Sequence, residues 1–177
     1  MNKITKYKKG NILVRYPEIS DIKVMCDYIN TLSKEKTYIT WQGEEIKLKD
    51  EEKYLKSQLE KFKKSQSVQL LLFVDNKLSG ISSVDMKERI QSHVGTFGIT
   101  IIKEHRGKGL GKLLTKLVFD EVKKLKSLKI ITLEVFAENE KAIKMYEKFG
   151  FKEYGKLPLG NQYKGKLIDD ILMSKFI

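Results

Sequence analysis

The stretch Glu104-His105-Arg106-Gly107-Lys108-Gly109-Leu110-Gly111-Lys112 constrains this chain more than any other. An apolar run, Phe97 to Ile102, precedes it, and an amphipathic pattern beginning at Leu110 follows. Strand, glycine-rich turn and helix, in that order, make an anion site from backbone alone. Glycines reach the angles a tight turn needs and let a phosphate approach with no Cβ in the way. The first amides of a helix have no internal partner, and the helix dipole favours negative charge there. Arg106, Lys108 and Lys112 bring cationic charge to the same place. The stretch reads as a pyrophosphate cradle.

Two familiar phosphate loops do not fit it. In a P-loop, four residues separate the first Gly from Gly-Lys-Ser/Thr. Here Arg106 stands at the first glycine and Leu113 replaces the magnesium-binding hydroxyl. A dinucleotide fingerprint needs G-x-G-x-x-G, and after Gly107 and Gly109 the third glycine comes one residue early. The spacing Arg106-x-x-Gly109-x-Gly111 instead resembles the loop by which GNAT acetyltransferases hold the pyrophosphate of acetyl-CoA.

Periodicity supplies the elements around the loop. Residues 1–10 are lysine-rich and read as loosely held. A short strand covers 12–15, and Pro17 stops it. Ser20 is the expected N-cap of a helix with Ile22, Met25, Ile29 and Leu32 on one face. Residues 33–49 carry no sustained period. Asp50 is the expected cap of a second helix bearing Tyr54, Leu55, Leu59 and Phe62. Val68–Val74 reads as a buried strand, and Asp75-Asn76-Lys77 turns it into a partner over 78–86. A strand over 93–102 feeds the glycine loop. Leu110, Leu113, Leu114, Leu117, Val118, Val122 and Leu125 make the stripe of a third helix. Ile130–Phe136 reads as a buried strand. Asn139 opens a fourth helix, which Gly150 ends. Two last strands, 151–157 and 165–176, are expected to join through Pro158-Leu159-Gly160-Asn161. The order is that of one mixed α/β domain over 1–177, with its core in 12–176 and a sheet of six or seven strands.

The run Leu133-Glu134-Val135, then Asn139-x-x-Ala142-Ile143-x-x-Tyr146-Glu147-Lys148-Phe149-Gly150-Phe151, resembles the C-terminal half of the GNAT core. It follows the glycine loop at the family's distance, so the chain is identified as a member across roughly residues 12–176. The resemblance implies a mostly antiparallel sheet flanked by four helices and splayed between the strands at 93–102 and 130–136. It implies acetyl-CoA as donor, held by Ile99 and Ile101 backbone, by Arg106, Gly107, Lys108, Gly109, Leu110, Gly111 and Lys112, and by Asn139 and Tyr146. It makes Tyr146 the general acid toward the departing thiolate and Glu134 the base. A phenol, with an ordinary pKa of about 10, suits the first task. If Glu134 faces a cleft, burial would raise its pKa into a useful range. Asn139 is equally suited to capping its helix.

For the acceptor, the residues say less. Tyr38, Trp41 and His93 are the candidates. The tail from Gly155 to Met173, and His93-Val94 with Phe97-Gly98-Ile99, resemble bacterial small-molecule members that act on free L-amino acids. The implied reaction is direct attack by a primary amine in a ternary complex. A protein N-terminal amine of the ribosomal-protein type is the alternative, and a non-catalytic CoA-binding module the third. The resemblance also raises pairing into a homodimer.

Composition removes other classes. The formal net charge is +12, yet the only arginines are Arg15, Arg89 and Arg106, and the lysines scatter rather than form a basic, aromatic stripe, so nucleic acid is not implied. That excess also disfavours polyamines and aminoglycosides, whose sites need acidic patches. No HxxxH, HExxH or CxxC spacing implies a metal, and no G-x-S-x-G implies an acyl-enzyme. Cys26 reads as a small core hydrophobe. No apolar run reaches membrane-spanning length and the N-terminus lacks a signal pattern, so the expectation is a cytoplasmic protein without a membrane partner.

Overall fold

A computed structural model of the chain describes residues 5–177. The chain divides into two compact units, Met1–Asp85 with Gly98–Lys126, and Met86–Phe97 with Ser127–Ile177. Eight strands and four helices lie among the described residues.

The first unit begins with β1 (Thr5–Lys9), antiparallel to β2 (Ile12–Arg15) through a tight turn at Gly10-Asn11. This strand corrects the expectation of a loose N-terminal segment and raises the strand count to eight; residues 1–4 lie outside the described part. Lysines suit an edge strand because they keep it solvated and block further pairing. Helices α1 (Ile22–Glu35) and α2 (Leu48–Lys63) follow, then β3 (Ser67–Val74) and β4 (Lys77–Met86). Every residue of β3 is buried, as its nearly all-apolar run predicts, Gln69 included. The β3–β4 turn holds Asp75 and Asn76 at φ 49° and 63°. Those mirror-image angles match the strand twist. A register shift in this hairpin places Ser79 as an extra residue in β4, between Leu78 and Gly80. The unit continues along β5 (Val94–Ile101) from Gly98 and ends with α3 (Leu110–Val122). Its strands lie in the order β1-β2-β3-β4-β5. Met25, Tyr28, Leu32, Leu55, Leu71, Phe73, Leu78 and Ile102 form its core. Cys26 is buried, as expected.

Both expected N-caps move. A single 3-10 turn, Ile19–Asp21, precedes α1, so Asp21 rather than Ser20 is its cap. Helix α2 starts at Leu48, which leaves Asp50 and Glu51 in its first turn, where the dipole favours them. Asp21 is held elsewhere by a stronger interaction. Arg15 and Asp21 are 3% and 4% exposed and meet in a two-pronged pair, both N···O distances 2.7 Å. Asp21 also accepts the Glu18 amide at 2.7 Å, and the guanidinium lies 4.6 Å from the Phe73 ring centre. The pair fastens β2 to the start of α1.

The second unit holds the first half of β5, then β6 (Ile130–Phe136), α4 (Glu140–Lys148), β7 (Lys152–Tyr163) and β8 (Lys166–Phe176), in the sheet order β5-β6-β8-β7. β5 and β6 run parallel over Val94–Thr96 and Ile130–Thr132 only, the short ladder that a splay requires. The other registers, β6–β8 and β7–β8, are antiparallel. β6 is not buried on both faces: Ile131, Leu133 and Val135 are buried while Glu134 between them is exposed. Nor is Pro158–Asn161 the turn. It is an irregular stretch within β7, and the turn is Lys164-Gly165, at φ 50° and 76°. Pro158 is tolerated because β7 is the outermost strand, where a missing N–H costs no ladder bond. Gly150 ends α4 at φ 87°, as predicted.

Replacing Asp21 with Asn should leave Arg15 as a buried, unpaired charge. We expect a loss of about 3–5 kcal/mol, read as a lower urea midpoint with an unchanged slope.

Candidate active site

The glycine loop is built as its sequence requires. Lys103–His105 form a 3-10 turn, Arg106 is extended, and Gly107 and Gly109 take φ 76° and 80°. A Cβ at either glycine would meet nothing within 4 Å, so these glycines serve backbone geometry and open approach rather than packing. Gly109 is the N-cap of α3 and no side chain caps the helix. The amides at the start of α3, with Lys108 and Lys112 exposed beside them, form a cradle suited to a pyrophosphate. Arg106 is engaged within the protein. Its Nε donates to the Ile101 carbonyl at 2.7 Å, and its guanidinium bonds the Glu35 carboxylate. The other Glu35 oxygen accepts the Lys103 amide at 2.9 Å. Sequence reasoning missed Glu35, because nothing local marks a residue 71 positions from its partner.

The same unit holds a half-open cavity of about 590 Å³. Met25, Tyr28 and Ile29 of α1 and Ile81 of β4 give it apolar walls, with Ile46 and Trp41 from the connection between the first two helices. Gly98, Ile99 and Thr100 of β5 line it just before that strand enters the glycine loop. Tyr28 and Thr100 share a hydrogen bond of 2.9 Å, and Ser82 donates to the Gly98 carbonyl at 2.9 Å. The charged lining residues are Glu44, Glu45, Asp50 and Glu51; no Lys, Arg or His is among them. The expectation that so basic a chain lacks an acidic patch therefore fails at this place. Glu51 is buried and its carboxyl is pushed up by desolvation. A sequence signal existed: Glu51 lies four residues before Leu55 on the buried stripe of α2, where a carboxylate is out of pattern. Trp41 lines the cavity, whereas Tyr38 is half-buried and does not.

The second unit carries the remaining candidates. Tyr146 is 8% exposed and packs edge-on against Phe97 and Phe151, with ring centres 5.9 Å and 6.0 Å away. That apolar setting pushes its phenol up to about 12, so it stays protonated at neutral pH. Asn139 occupies the N-cap position of α4, but its side chain makes no capping bond; its backbone carbonyl takes the Ala142 and Ile143 amides instead. Glu134 is exposed on β6, between the buried Leu133 and Val135. His93 is exposed, lies just before β5, and its carbonyl receives the Lys129 amide at 2.8 Å. Among the described residues, no group of three or more His, Cys, Asp or Glu could hold a metal ion.

Known proteins resemble the chain at both levels. The L-amino acid N-acetyltransferase AaaT of Escherichia coli is 29% identical over 111 residues, 60% of this chain and 67% of that protein. The spermine/spermidine N(1)-acetyltransferase of Bacillus subtilis is 36% identical over 62 residues; the match spans 35% of this chain and only 41% of that enzyme. A GNAT-family acetyltransferase of Streptococcus pneumoniae superposes with TM-score 0.87 at 28% identity, covering 94% of this chain and 99% of its own. A Salmonella typhimurium protein, yncA, solved with its cofactor acetyl-CoA, shares the fold at TM-score 0.81 and 15% identity, over 94% of each chain. The sequence model of the Acetyltransferase (GNAT) family matches residues 28–151, more than half the chain. The chain thus belongs to the GNAT family, as an acetyltransferase that takes its acetyl group from acetyl-CoA.

Proposed function

We propose that this protein acetylates a primary amine of a small molecule by direct attack on the bound thioester. One observation carries the reading: the β5 residues Gly98–Thr100 line the cavity, and the same strand runs on through Ile101 into the glycine loop. A single strand so serves an acceptor chamber and a donor cradle. The loop amides from Gly107 to Lys112 hold the pyrophosphate, with Lys108 and Lys112 adding charge. Arg106, tied to Glu35 and Ile101, positions that loop. The backbone of Ile99 and Ile101, outside the β5–β6 ladder, offers hydrogen bonds to the pantetheine amides. Asn139, whose amide is not spent on a cap, has the same task.

Acetyl-CoA supplies the activated acetyl group as a thioester. The amine nitrogen forms a bond to the carbonyl carbon as the carbon–sulfur bond breaks; the nitrogen gives up a proton and the sulfur gains one. Glu134, directly or through water, takes the first proton. Tyr146 donates the second, for which a phenol kept neutral by burial is suited. Orientation of the amine against the carbonyl provides the remaining catalysis.

A free amino acid, the acceptor named for the Escherichia coli relative, is less favoured by the cavity, which has no cationic side chain for an α-carboxylate. A protein N-terminus is the second reading. We also propose a cytoplasmic location and pairing of two copies; exposed Tyr154, Leu157, Leu159 and Leu167 on the β7–β8 hairpin support the pairing, and light scattering on the purified protein tests it.

Gly109→Glu should weaken CoA binding at least about tenfold, since it strains a left-handed position and sets a carboxylate against phosphate. Calorimetry against CoA checks this, and unchanged affinity would remove the loop from the site. Tyr146→Phe should lower kcat by about a hundredfold with CoA affinity nearly kept. With its pKa near 12, Tyr146 remains a donor throughout ordinary buffers. Wild-type kcat should rise as the amine deprotonates and show no descending limb up to about pH 10.

A further inference from the structure

Resting on the small-amine reading above, we propose that the acceptor carries a second ammonium group, and that Glu51 is the residue that selects it. The expected substrate class is a linear diamine or polyamine. Three independent features of the cavity converge on this chemistry.

The first is the sign of the lining. A chain with 35 basic and 23 acidic residues places four acids and no base around this one cavity. A single ammonium uses only part of that field, and an α-carboxylate is repelled by it.

The second is a pair of acceptors on buried residues, Glu51 and Gln69, that no protein donor meets. Glu51 is 7% exposed; its backbone amide donates to the Lys47 carbonyl, while its carboxylate has no hydrogen bond or ion pair among the described residues. Burying an unpaired carboxylate opposes folding unless a cation arrives to meet it. Asp50 beside it is exposed and already faces Lys53 at 3.8 Å, and Glu44 is engaged by the Gln42 amide. Gln69 is 3% exposed; its Nε2 donates to the Tyr54 hydroxyl at 2.8 Å, while its buried Oε1 has no partner. Both waiting groups accept hydrogen bonds, which an ammonium can donate and a carboxylate cannot.

The third is the character of the walls. Ile29, Ile46 and Ile81 offer apolar surface to a methylene chain, and the Trp41 and Tyr54 rings attract cations at its ends. A hydroxyl-rich ring bearing several ammonium groups would gain less from those walls.

The test compares 1,5-diaminopentane with n-pentylamine, equal in length and differing by one ammonium, using the full chain at saturating acetyl-CoA and following free thiol release. We expect kcat/KM to favour the diamine at least about tenfold. In Glu51→Gln that ratio should fall to within about threefold of unity, mainly through KM. The thermal midpoint should stay or rise, because an unpaired buried charge has been removed. If Glu51→Gln does not fold, Gln69→Leu is read for the same fall in ratio. A ratio near one in the wild type, a preference for L-amino acids or an aminoglycoside, or a ratio unmoved by the variants would each overturn the inference. Thiol release with a flat charge preference sinks this inference alone. No release with any amine, while CoA still binds in calorimetry, sinks the small-amine reading beneath it.

Discussion

The carboxylate of Glu35 is the constraint on which the first unit's chemistry depends. One oxygen accepts the Lys103 amide and the other the Arg106 guanidinium. Bonds in which one or both partners are charged are the strong ones, and this group makes two at once. Glu35 ends α1, the helix that also gives Met25, Tyr28 and Ile29 to the cavity wall. A shift of α1 therefore moves the cavity and the glycine loop together. Arg106 completes the lock through Ile101, the last residue of the strand that feeds the loop. The arginine that first suggested a phosphate ligand thus also holds the loop in place, through Nε and one terminal nitrogen of its guanidinium. Backbone amides and two exposed lysines stand beside it.

Charge is sorted locally in this protein, against its overall sign. The +12 excess resides largely on exposed lysines. In salt such charges act over about a Debye length, roughly 10 Å. A cavity lined by Glu44, Glu45, Asp50 and Glu51 can accordingly hold the opposite potential. The net charge describes the surface as a whole and says little about the sign of one cleft. Tyr146 shows the complementary case in the second unit. Phe97 and Phe151 exclude water from the ring, so the phenol keeps its proton, and the same packing that makes it a core residue fits it to donate.

Where the reading of the residues and the structure diverge, each divergence has a nonlocal cause. Ser20 and Asp50 are sound caps by propensity, but Asp21 is drawn into the pair with Arg15 and α2 begins two residues before Asp50. Pro158-Leu159-Gly160-Asn161 has turn composition, yet β8 pairs with the strand on both sides of it and absorbs it as an irregularity. The lysine-rich start forms β1 because β2 offers an edge. Glu134 sits in an apolar run, and only the alternation of β6 puts it outward.

The sequence by itself determined the loop, the helices and the family. A glycine that must take a positive φ, a stripe at helical spacing and a strongly apolar strand are local demands that nothing distant relieves. The tertiary structure alone decided the partner of Arg106, the exposure of Glu134 and the sign of the cavity. Those depend on residues as far apart as Glu35 and Arg106, or Glu51 and Ile99, which become neighbours only when burial of the shared core closes the chain on itself.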